Sequence, residues 1–337
     1  MPAYDAPEFI SFAHGSGGRL THDLIKHIFA RRFANPYLSP LADAAIAPFS
    51  GESLAFTTDG FVIHPLEFPG GDIGKLAVCG TVNDLAVMGA KPLYLSCAMI
   101  IEEQLEFALL ERIAASIAQA AEAAQVLVVT GDTKVVERGK GDGLFITMSG
   151  VGAREYVLPQ PIAVGDNILV NGALGDHALA VLAARREFGF DIPVASDCAP
   201  LSGLIASVLA ERRSVKFMRD PTRGGLAMVL NEIAEGQPFG IALDEAAIPV
   251  NDSVRAACAL LGFDPLYLAN EGKVVLIVGA DEARGVLETL RRHPFGRESA
   301  IIGEIVDAPA GLVFLRTTLG GKRILDMPVG SPLPRIC

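Results

Sequence analysis

The chain ends in Pro-Arg-Ile-Cys, so the thiol of Cys337 stands at its free terminus. Residues 326–336 before it contain three prolines, which favour an extended polyproline II conformation of roughly 3.1 Å per residue. Ten such residues reach on the order of 30 Å, far enough to carry a thiol from the surface into a cleft. This arrangement predicts a mobile tail, residues 326–337, that uses Cys337 as a covalent carrier. An ordinary frayed terminus is the alternative interpretation.

Other uses of the cysteines are disfavoured by their positions. A prenylation signal places its cysteine fourth from the end, whereas no residue follows Cys337. Five cysteines are an odd number without paired spacing, so neither a disulfide framework nor a CxxC zinc site is indicated. Few cysteines without a pairing pattern favour a reducing, cytoplasmic compartment.

Several aspartates of the N-terminal half stand beside glycines or at predicted element ends. Asp84 lies inside an otherwise apolar helix, where an uncompensated carboxylate would be costly to bury. Oxygen ligands that converge without His or Cys suit Mg²⁺ that bridges phosphates. Each aspartate alone could be a turn or cap residue, but the four together favour a metal site. These four are Asp43, Asp59, Asp84 and Asp132.

Two glycine-rich segments precede predicted helices, where backbone amides could wrap an anion. Neither segment contains the Gly-Lys-Ser/Thr of a P-loop, so each alone is weak evidence for a nucleotide site. The first segment is Gly15, Ser16, Gly17 and Gly18, and the second is Gly224 and Gly225 after Arg223.

Two further residues could move a proton or stabilise charge. Lys134 follows Gly131-Asp132 at the predicted end of a buried strand, a place where α/β proteins tend to bind ligands. Glu271 precedes a β-branched strand. Each could instead be an ordinary surface or turn residue. The chain has no Gly-x-Ser-x-Gly elbow, so serine hydrolysis is disfavoured.

Alternating helix and strand patterns predict an α/β (α+β) fold with two mixed sheet-and-helix domains and a flexible tail, each sheet covered mainly on one face. With 337 residues the chain can form two hydrophobic cores. We expect an N-terminal ATP-binding and dimerisation domain at residues 1–156 and a C-terminal α/β domain at residues 157–325. Residues 126–130 are predicted to form a buried strand that ends in a loop with Asp132 and Lys134.

The composition limits the partners of the protein. A formal net charge of −11 argues against nucleic acid as the main partner. It also requires that a bound polyphosphate be neutralised by metal ions or local amides. The apolar stretches are shorter than the roughly 18 residues of a membrane helix, and no signal segment opens the chain. We therefore expect no membrane association.

Taken together, these segments resemble the hydrogenase maturation carbamoyl dehydratases, the HypE family. The glycine and aspartate blocks are shared with enzymes that make aminoimidazole ribonucleotide, selenophosphate or thiamine diphosphate, whereas the terminal Pro-Arg-Ile-Cys is more specific. Gly60 departs from the pattern, because the family usually has serine there. The matching blocks, spread over nearly the whole chain, include residues 14–18, 57–60, 68–71, 73–77, 80–84, 131–136, 175–177, 220–225, 269–273 and 334–337.

The resemblance implies a reaction and a set of partners. A partner carbamoyltransferase would load a carbamoyl group onto Cys337. ATP would then drive dehydration of this S-carboxamide to an S-cyanate, and an iron-bearing scaffold complex for NiFe hydrogenase would accept the cyanide. The fold would be that of the aminoimidazole ribonucleotide synthetase-like superfamily, with the nucleotide at a homodimer interface.

The resemblance also implies residue roles. Cys337 would be the carrier, and Glu271 the initial base. Lys134 would assist as a base only if burial lowered its pKa, and would otherwise stabilise an oxyanion or phosphate. Mg²⁺ would be held by Asp59, Asp84 and Asp132, with Asp43 nearby. The remaining nucleotide contacts would come from residues 15–18, Asn83, Thr133, Arg223 and Gly224.

Two other functions stay open at this point. Another ATP-dependent synthetase of the superfamily, of the aminoimidazole ribonucleotide or selenophosphate type, would not need a thiol at the last position. A non-catalytic scaffold could capture metal through Cys337, but this function leaves the acidic segments and Lys134 unexplained.

Overall fold

The computed structural model describes residues 7–11, 14, 23–38, 49, 53–158, 161–186, 192–327 and 335–336. Three predicted features lie outside these residues: the glycine segment 15–18, Asp43 and Cys337. The described strands are β1 (Leu54–Phe61), β2 (Glu67–Phe68), β3 (Gly71–Asp72), β4 (Ala90–Glu102), β5 (Leu127–Val136), β6 (Leu144–Arg154), β7 (Asn167–Val170), β8 (Val215–Arg219), β9 (Gly240–Asp244), β10 (Val275–Val278), β11 (Ala300–Val306), β12 (Val313–Arg316) and β13 (Lys322–Ile324).

Helices alternate with these strands. A π-helical stretch, Ile25–Phe29, runs directly into α1, and short 3₁₀ turns lie at Glu245–Ala247, Pro265–Tyr267 and Pro294–Gly296. The described α-helices are α1 (Ala30–Arg32), α2 (Ile73–Val87), α3 (Phe107–Ala123), α4 (Asp176–Ala184), α5 (Ser202–Glu211), α6 (Gly225–Ala234), α7 (Asp252–Leu261) and α8 (Ala283–Arg292). None of these helices has both the length and the apolar character needed to cross a bilayer.

The first sheet contains four described strands in the order β1-β6-β4-β5. Antiparallel pairs join β1, β6 and β4, while β4 and β5 run parallel. Helices α2 and α3 pack together beside this sheet. Exposed and partly buried residues alternate along β1, and Phe56 on its open face is 65% exposed. The described residues therefore cover this sheet on one face, as the sequence predicts.

Helix α2 lies at the centre of the N-terminal core. Asp72 caps its first turn by accepting hydrogen bonds from Gly74 N (2.7 Å) and Lys75 N (2.9 Å). Almost every residue of the helix is buried, which is expected of a helix that is apolar on all sides. Because α2 is fixed so deeply, the polar residues Asn83 and Asp84 near its end have a fixed position.

The second sheet contains seven described strands in the order β13-β12-β9-β11-β7-β10-β8. Neighbouring residues of one strand enter different cores: Ile168 and Val170 pack with α6, whereas Leu169 packs with α5 and α8. The expectation of one covered face is therefore wrong for this sheet. The physical reason is visible in β10, where all four residues are apolar and buried, a pattern typical of strands covered on both faces.

Strand β5 continues past the point at which the sequence predicts its end. Residues Gly131–Val136 pair with Cys97–Glu102 of β4, so Asp132 and Lys134 lie within a strand and the predicted loop is wrong. The alternation of exposed Asp132 and Lys134 with buried Thr133 and Val135 is the period-two pattern of a strand.

A close backbone approach fixes the start of α6 and gives a testable stability prediction. Gly225 has φ +61°, and a Cβ there would lie 2.5 Å from Leu268 O, whereas Gly236 has φ +69° and open space around it. We expect Gly236→Ala to cost about 1–2 kcal/mol through backbone strain alone. Gly225→Ala should cost a further 1–3 kcal/mol or so, because the methyl group overpacks the site. Urea denaturation of both variants measures the difference, and equal losses would contradict the proposed steric origin.

Candidate active site

A small cleft of about 60 Å³ opens where the two sheets' domains meet. Strand β1 and helix α2 form its N-terminal wall. The segment after β8 and the loop before β10 form its C-terminal wall. The residues that line it are Asp59, Gly60, Phe61, Gly80, Asp84, Asp220, Thr222, Arg223 and Glu271. Four of these nine side chains carry a carboxyl group.

The carboxyl groups of the cleft raise one another's pKa. Burial, followed by the charges of Asp220 and Asp59, raises the pKa of Asp84 to about 7. Burial also raises the pKa of Asp220 to about 6, and Asp59 adds to this shift. Thr57 Oγ1 donates a hydrogen bond to Asp84 Oδ2 at 2.8 Å. Burial and the neighbouring carboxylates therefore both disfavour ionisation in this cleft.

Glu271 is the most deeply buried acid of the cleft. Its side chain is 3% exposed, and its Oε1 has no hydrogen-bond partner among the described residues. Burial, with the neighbouring charges of Asp220 and Asp197, raises the pKa of Glu271 well above its usual value. A buried carboxyl oxygen without a partner is costly. Glu271 Oε1 therefore has hydrogen-bonding capacity that the described residues do not use.

The backbone around Glu271 is held rigidly. Asp197 accepts hydrogen bonds from Glu271 N (3.1 Å) and Gly272 N (3.3 Å), and Lys273 Nζ pairs with it at 2.8 Å. Asp197 and Lys273 are both nearly buried. A buried ion pair of this kind fixes the loop, because removal of either partner would leave the other charge uncompensated.

The predicted metal ligands are only partly brought together. Asp59 and Asp84 meet in the cleft, and Asp220 joins them, but Asp132 does not line it. Across the described ranges, no group of three or more such side chains is close enough to hold a metal by itself. Two carboxylates nevertheless fit Mg²⁺, which is commonly bound by one or two carboxylates together with phosphates and water.

Asp132 and Lys134 form a pair of their own on the open face of the first sheet. Lys134 Nζ donates to Asp132 Oδ1 at 2.8 Å, and both side chains are more than half exposed. This hydrogen bond lowers the pKa of Asp132. Thr133 between them is buried on the opposite face, and its predicted nucleotide contact stays a prediction.

The other predicted nucleotide contacts have distinct positions. Asn83 is buried, donates to Ala199 O (3.1 Å) and accepts from Leu201 N (2.7 Å), which ties α2 to the C-terminal domain. Arg223 is exposed at the cleft, and Gly224 is the left-handed N-cap of α6. Their contacts with a nucleotide stay predictions.

Packing does not explain why this chain has Gly60 where the HypE family usually has serine. A Cβ at this position would meet nothing within 4 Å. The space that a serine side chain would enter is therefore open to the cleft.

Two site features were not predicted from the sequence. The first is the role of Asp220 as a cleft acid. Its position between Arg219 and Pro221, before a Gly-Gly helix start, is a sequence signal that could have indicated a site residue. The second feature involves the end of the chain: Ile336 is 4% exposed, and its carbonyl oxygen lies 2.9 Å from His177 Nε2. No local pattern links residues 159 positions apart.

Comparisons with known proteins identify the family. The family model for the N-terminal domain of AIR synthase related proteins matches residues 41–153. The model for their C-terminal domain matches residues 163–315. A carbamoyl dehydratase HypE of Rhodobacter capsulatus is 50% identical over 337 residues, 98% of each chain. The chain belongs to the HypE family of carbamoyl dehydratases. HypE of Escherichia coli (strain K12) is 47% identical over 336 residues, which cover 97% of this chain and 99% of the other.

Solved structures of HypE agree with this assignment. A hydrogenase maturation protein HypE in complex with ATP superposes with a TM-score of 0.92 at 46% identity, over 97% of this chain and 99% of the other. HypE in a HypE–HypF complex gives a TM-score of 0.79 at 46% identity, over 90% and 99%. A thiamine-monophosphate kinase of Stenotrophomonas maltophilia, 21% identical with a TM-score of 0.64, shares the fold alone. The predicted α/β fold with two domains of this type is confirmed.

The acidic cleft gives a prediction about pH. The pKa of Asp84 is about 7 in the folded chain against an ordinary value of 3.8, so folded Asp84 keeps a proton that the unfolded chain releases between these values. Stability from this group is therefore full below about pH 4 and is lost as the pH rises towards 7. In the absence of divalent cations, we expect Asp84→Asn to reduce the fall in melting temperature between pH 5 and 8.

The matched control is Asp307→Asn, because Asp307 is exposed and does not line the cleft. It should keep the pH slope of the wild type. An Asp84→Asn variant with the wild-type slope would contradict the raised pKa of Asp84.

Proposed function

We propose that the protein catalyses the ATP-dependent dehydration of an S-carboxamide on Cys337 to an S-cyanate, which supplies the cyanide ligand for the iron of NiFe hydrogenase. One observation carries the proposal: in a chain of the HypE family, Glu271 lines an acidic cleft between the two domains, and its buried Oε1 has no hydrogen-bond partner among the described residues. This is the position that a base for the carboxamide nitrogen would need.

The reaction requires an activated oxygen and a base. The carbon–oxygen bond of the carboxamide breaks, two protons leave its nitrogen, and the carbon–nitrogen triple bond forms. The carboxamide oxygen is a poor leaving group, and ATP supplies the phosphoryl group with which it departs as phosphate. The protein must therefore hold the triphosphate beside the carboxamide and accept protons from nitrogen.

Glu271 is the group that we assign to proton abstraction. A carboxamide N–H is a weak acid, so a carboxylate of ordinary pKa would be a poor acceptor. Burial raises the pKa of Glu271, which strengthens the carboxylate as a base once it is ionised. Its backbone is fixed by Asp197, so the carboxyl group does not need to be repositioned during the reaction.

Lys134 receives a different role. Its side chain is 63% exposed in this chain and pairs with Asp132, so the burial that would make it a base is not present here. We assign its ammonium group to the stabilisation of negative charge on the carboxamide oxygen or the departing phosphate. Asp59 and Asp84 would hold Mg²⁺, which would neutralise the phosphates, and Asp132 would contribute from a second copy of the chain.

A homodimer would bring these parts together. Among the described strands, β1 and β5 form the two edges of the first sheet, and the open face exposes Leu54, Phe56 and Ile100. Exposed strand edges and apolar faces are normally covered. The cleft lies at β1, while Asp132 and Lys134 lie on β5. Two sheets that pack face to face in opposite directions would place β5 of one copy beside β1 of the other.

Two partners complete the proposed pathway. A solved structure places HypE in complex with HypF, and we propose that a carbamoyltransferase of this kind loads Cys337. An iron-bearing maturation scaffold would then accept the cyanide. We propose the cytoplasm as the compartment, because a free carrier thiol is kept reduced there.

The function is tested by the mass of the intact protein. Incubation with the carbamoyl donor system should add one carboxamide to Cys337, and ATP with Mg²⁺ should then remove one water. Glu271→Gln should accept the carboxamide but slow the loss of water at least about 100-fold, because general base catalysis is removed while the shape is kept. Glu235→Gln, on the surface after α6, is the matched control. A carboxamide on another residue, or ATP-dependent activity retained by Cys337→Ala, would exclude the carrier role and favour a synthetase.

The dimer is tested with one surface substitution. Phe56→Asp should convert the dimer into a monomer in light-scattering measurements, because a charge would be buried in the apolar interface. Leu319→Asp is the control, since Leu319 is 96% exposed and lies between β12 and β13 of the second sheet. If Phe56→Asp remains dimeric, this face is not the interface.

A further inference from the structure

We propose that His177, Ser196 and Arg185 form a receptor for the end of the chain. This receptor binds the main-chain carbonyl groups of Arg335 and Ile336 and so determines where Cys337 is presented. The purpose of the receptor rests on the proposed function, whereas the binding contact stands on the geometry alone.

A directional chain of hydrogen bonds forms the centre of the receptor. His177 Nε2 lies 2.9 Å from the carbonyl oxygen of Ile336, and His177 Nδ1 lies 2.8 Å from Ser196 Oγ. A carbonyl oxygen can only accept, so Nε2 carries the proton, and neutral Nδ1 accepts from the Ser196 hydroxyl. Ser196 Oγ in turn accepts from Cys198 N at 3.1 Å. Every donor in this chain therefore has an acceptor.

The surroundings of His177 favour this single tautomer. The imidazole is fully buried, and Phe68 packs against it edge to face with ring centroids 5.5 Å apart. Burial lowers the pKa of His177, which keeps the ring neutral. A neutral imidazole has a single N–H donor, and here it is directed at the tail. This buried donor is satisfied when a carbonyl group occupies the site.

Groups of both domains surround the end of the chain. Arg185 donates to His64 O at 3.0 Å and to the carbonyl oxygen of Arg335 at 2.9 Å. The guanidinium of Arg335 pairs with Asp142 of the N-terminal domain. On the other side, Ser196 N donates to Pro69 O at 2.7 Å. The tail end is thus bound by groups whose relative position depends on the packing of the two domains.

The side chain of Ile336 adds an apolar anchor. It is 4% exposed and belongs to the hydrophobic core that also contains Phe68, Leu179 and Cys198. Main-chain hydrogen bonds fix the register of a bound segment, and a pocket for a side chain gives it specificity. The proposed consequence is that a bound Ile336 limits the reach of the carrier thiol, because Cys337 follows it directly in the sequence.

One short segment connects this receptor to the proposed base. Ser196 orients His177 towards the tail, while the next residue, Asp197, accepts hydrogen bonds from the backbone of Glu271 and Gly272. Two consecutive residues therefore link the receptor to the backbone of Glu271. This connection is the reason why we assign His177 and Ser196 as positioning residues for the dehydration step.

Alkylation of the carrier thiol tests the receptor directly. The cysteines at positions 79, 97, 198 and 258 are buried, so a water-soluble maleimide should react first with Cys337 in the full-length folded protein. We expect His177→Ala to increase the rate of Cys337 alkylation at least about tenfold, because the carbonyl of Ile336 loses its donor. His177→Gln should restore much of the protection, since its amide can donate at a similar reach.

Two variants exclude trivial explanations. His64→Ala removes an exposed imidazole beside the tail but keeps the backbone that contacts Arg185 and Arg335, so its alkylation rate should equal that of the wild type. Ile336→Asp alters the tail rather than the body of the protein, and should accelerate alkylation as much as His177→Ala does. If His177→Ala and Ile336→Asp both react at the wild-type rate while their melting temperatures remain unchanged, the receptor does not exist.

The readout separates this inference from the proposed function. Alkylation needs neither ATP nor a carbamoyl donor, and Glu271→Gln should leave its rate unchanged while dehydration stalls. Protection of Cys337 without any dehydration would retain the receptor and reject the proposed function. If dehydration occurs but the alkylation rate does not change in the His177 and Ile336 variants, the proposed function is retained and the receptor is rejected.

Discussion

The rest of the site depends on the burial of the Glu271 carboxyl group, one oxygen of which has no hydrogen-bond partner among the described residues. Such a group is costly, and the fold keeps it in place with a second buried carboxylate. Burial alone would raise the pKa of Asp197, but the charge of Lys273 and the hydrogen bonds from Lys273 and Glu271 N act in the opposite direction, with a contribution from His177, and the pKa is lowered. Asp197 therefore stays ionised and holds the backbone N–H of Glu271. The buried ion pair between Asp197 and Lys273 therefore holds the backbone of Glu271 in place.

Helix α2 explains why the site needs both domains. The helix is buried on nearly every side, yet Gly80, Asn83 and Asp84, spaced three and four residues apart, form one stripe towards the C-terminal domain. Asn83 binds the backbone of that domain at Ala199 and Leu201, and Asp84 faces its Asp220. One helix face therefore both joins the domains and supplies an acid to the cleft. Neither sheet alone could assemble these four carboxyl groups.

The sequence is most informative where local chemistry determines structure. A carboxylate in apolar surroundings is unusual, which singles out Asp59 and Asp84. Both line the cleft, while their role as metal ligands stays a prediction. The burial of Asp220 and the contact of His177 with Ile336 depend on residues far apart in the chain, so no local pattern could reveal them. The sequence prediction ends β5 too early, because Gly131-Asp132 is interpreted as a loop. The alternation of Asp132 and Lys134 with Thr133 and Val135 continues the strand pattern. The two-sided burial of the second sheet could have been inferred from the uninterrupted apolar run of β10.

Negative charge predominates among the described residues of the cleft. Of those that line it, four are acids and Arg223 is the one cation. Lys134, the lysine that the resemblance assigns to the reaction, is already paired with Asp132 on another strand. Burial is the main reason why the pKa of Asp84 rises to about 7 and that of Asp220 to about 6, and the charges of neighbouring carboxylates add to both shifts. Binding of a divalent cation, or of positive groups from a second copy, would relieve the repulsion and ionise the acids together. The same event that completes the site would then convert its carboxyl groups into ligands and bases.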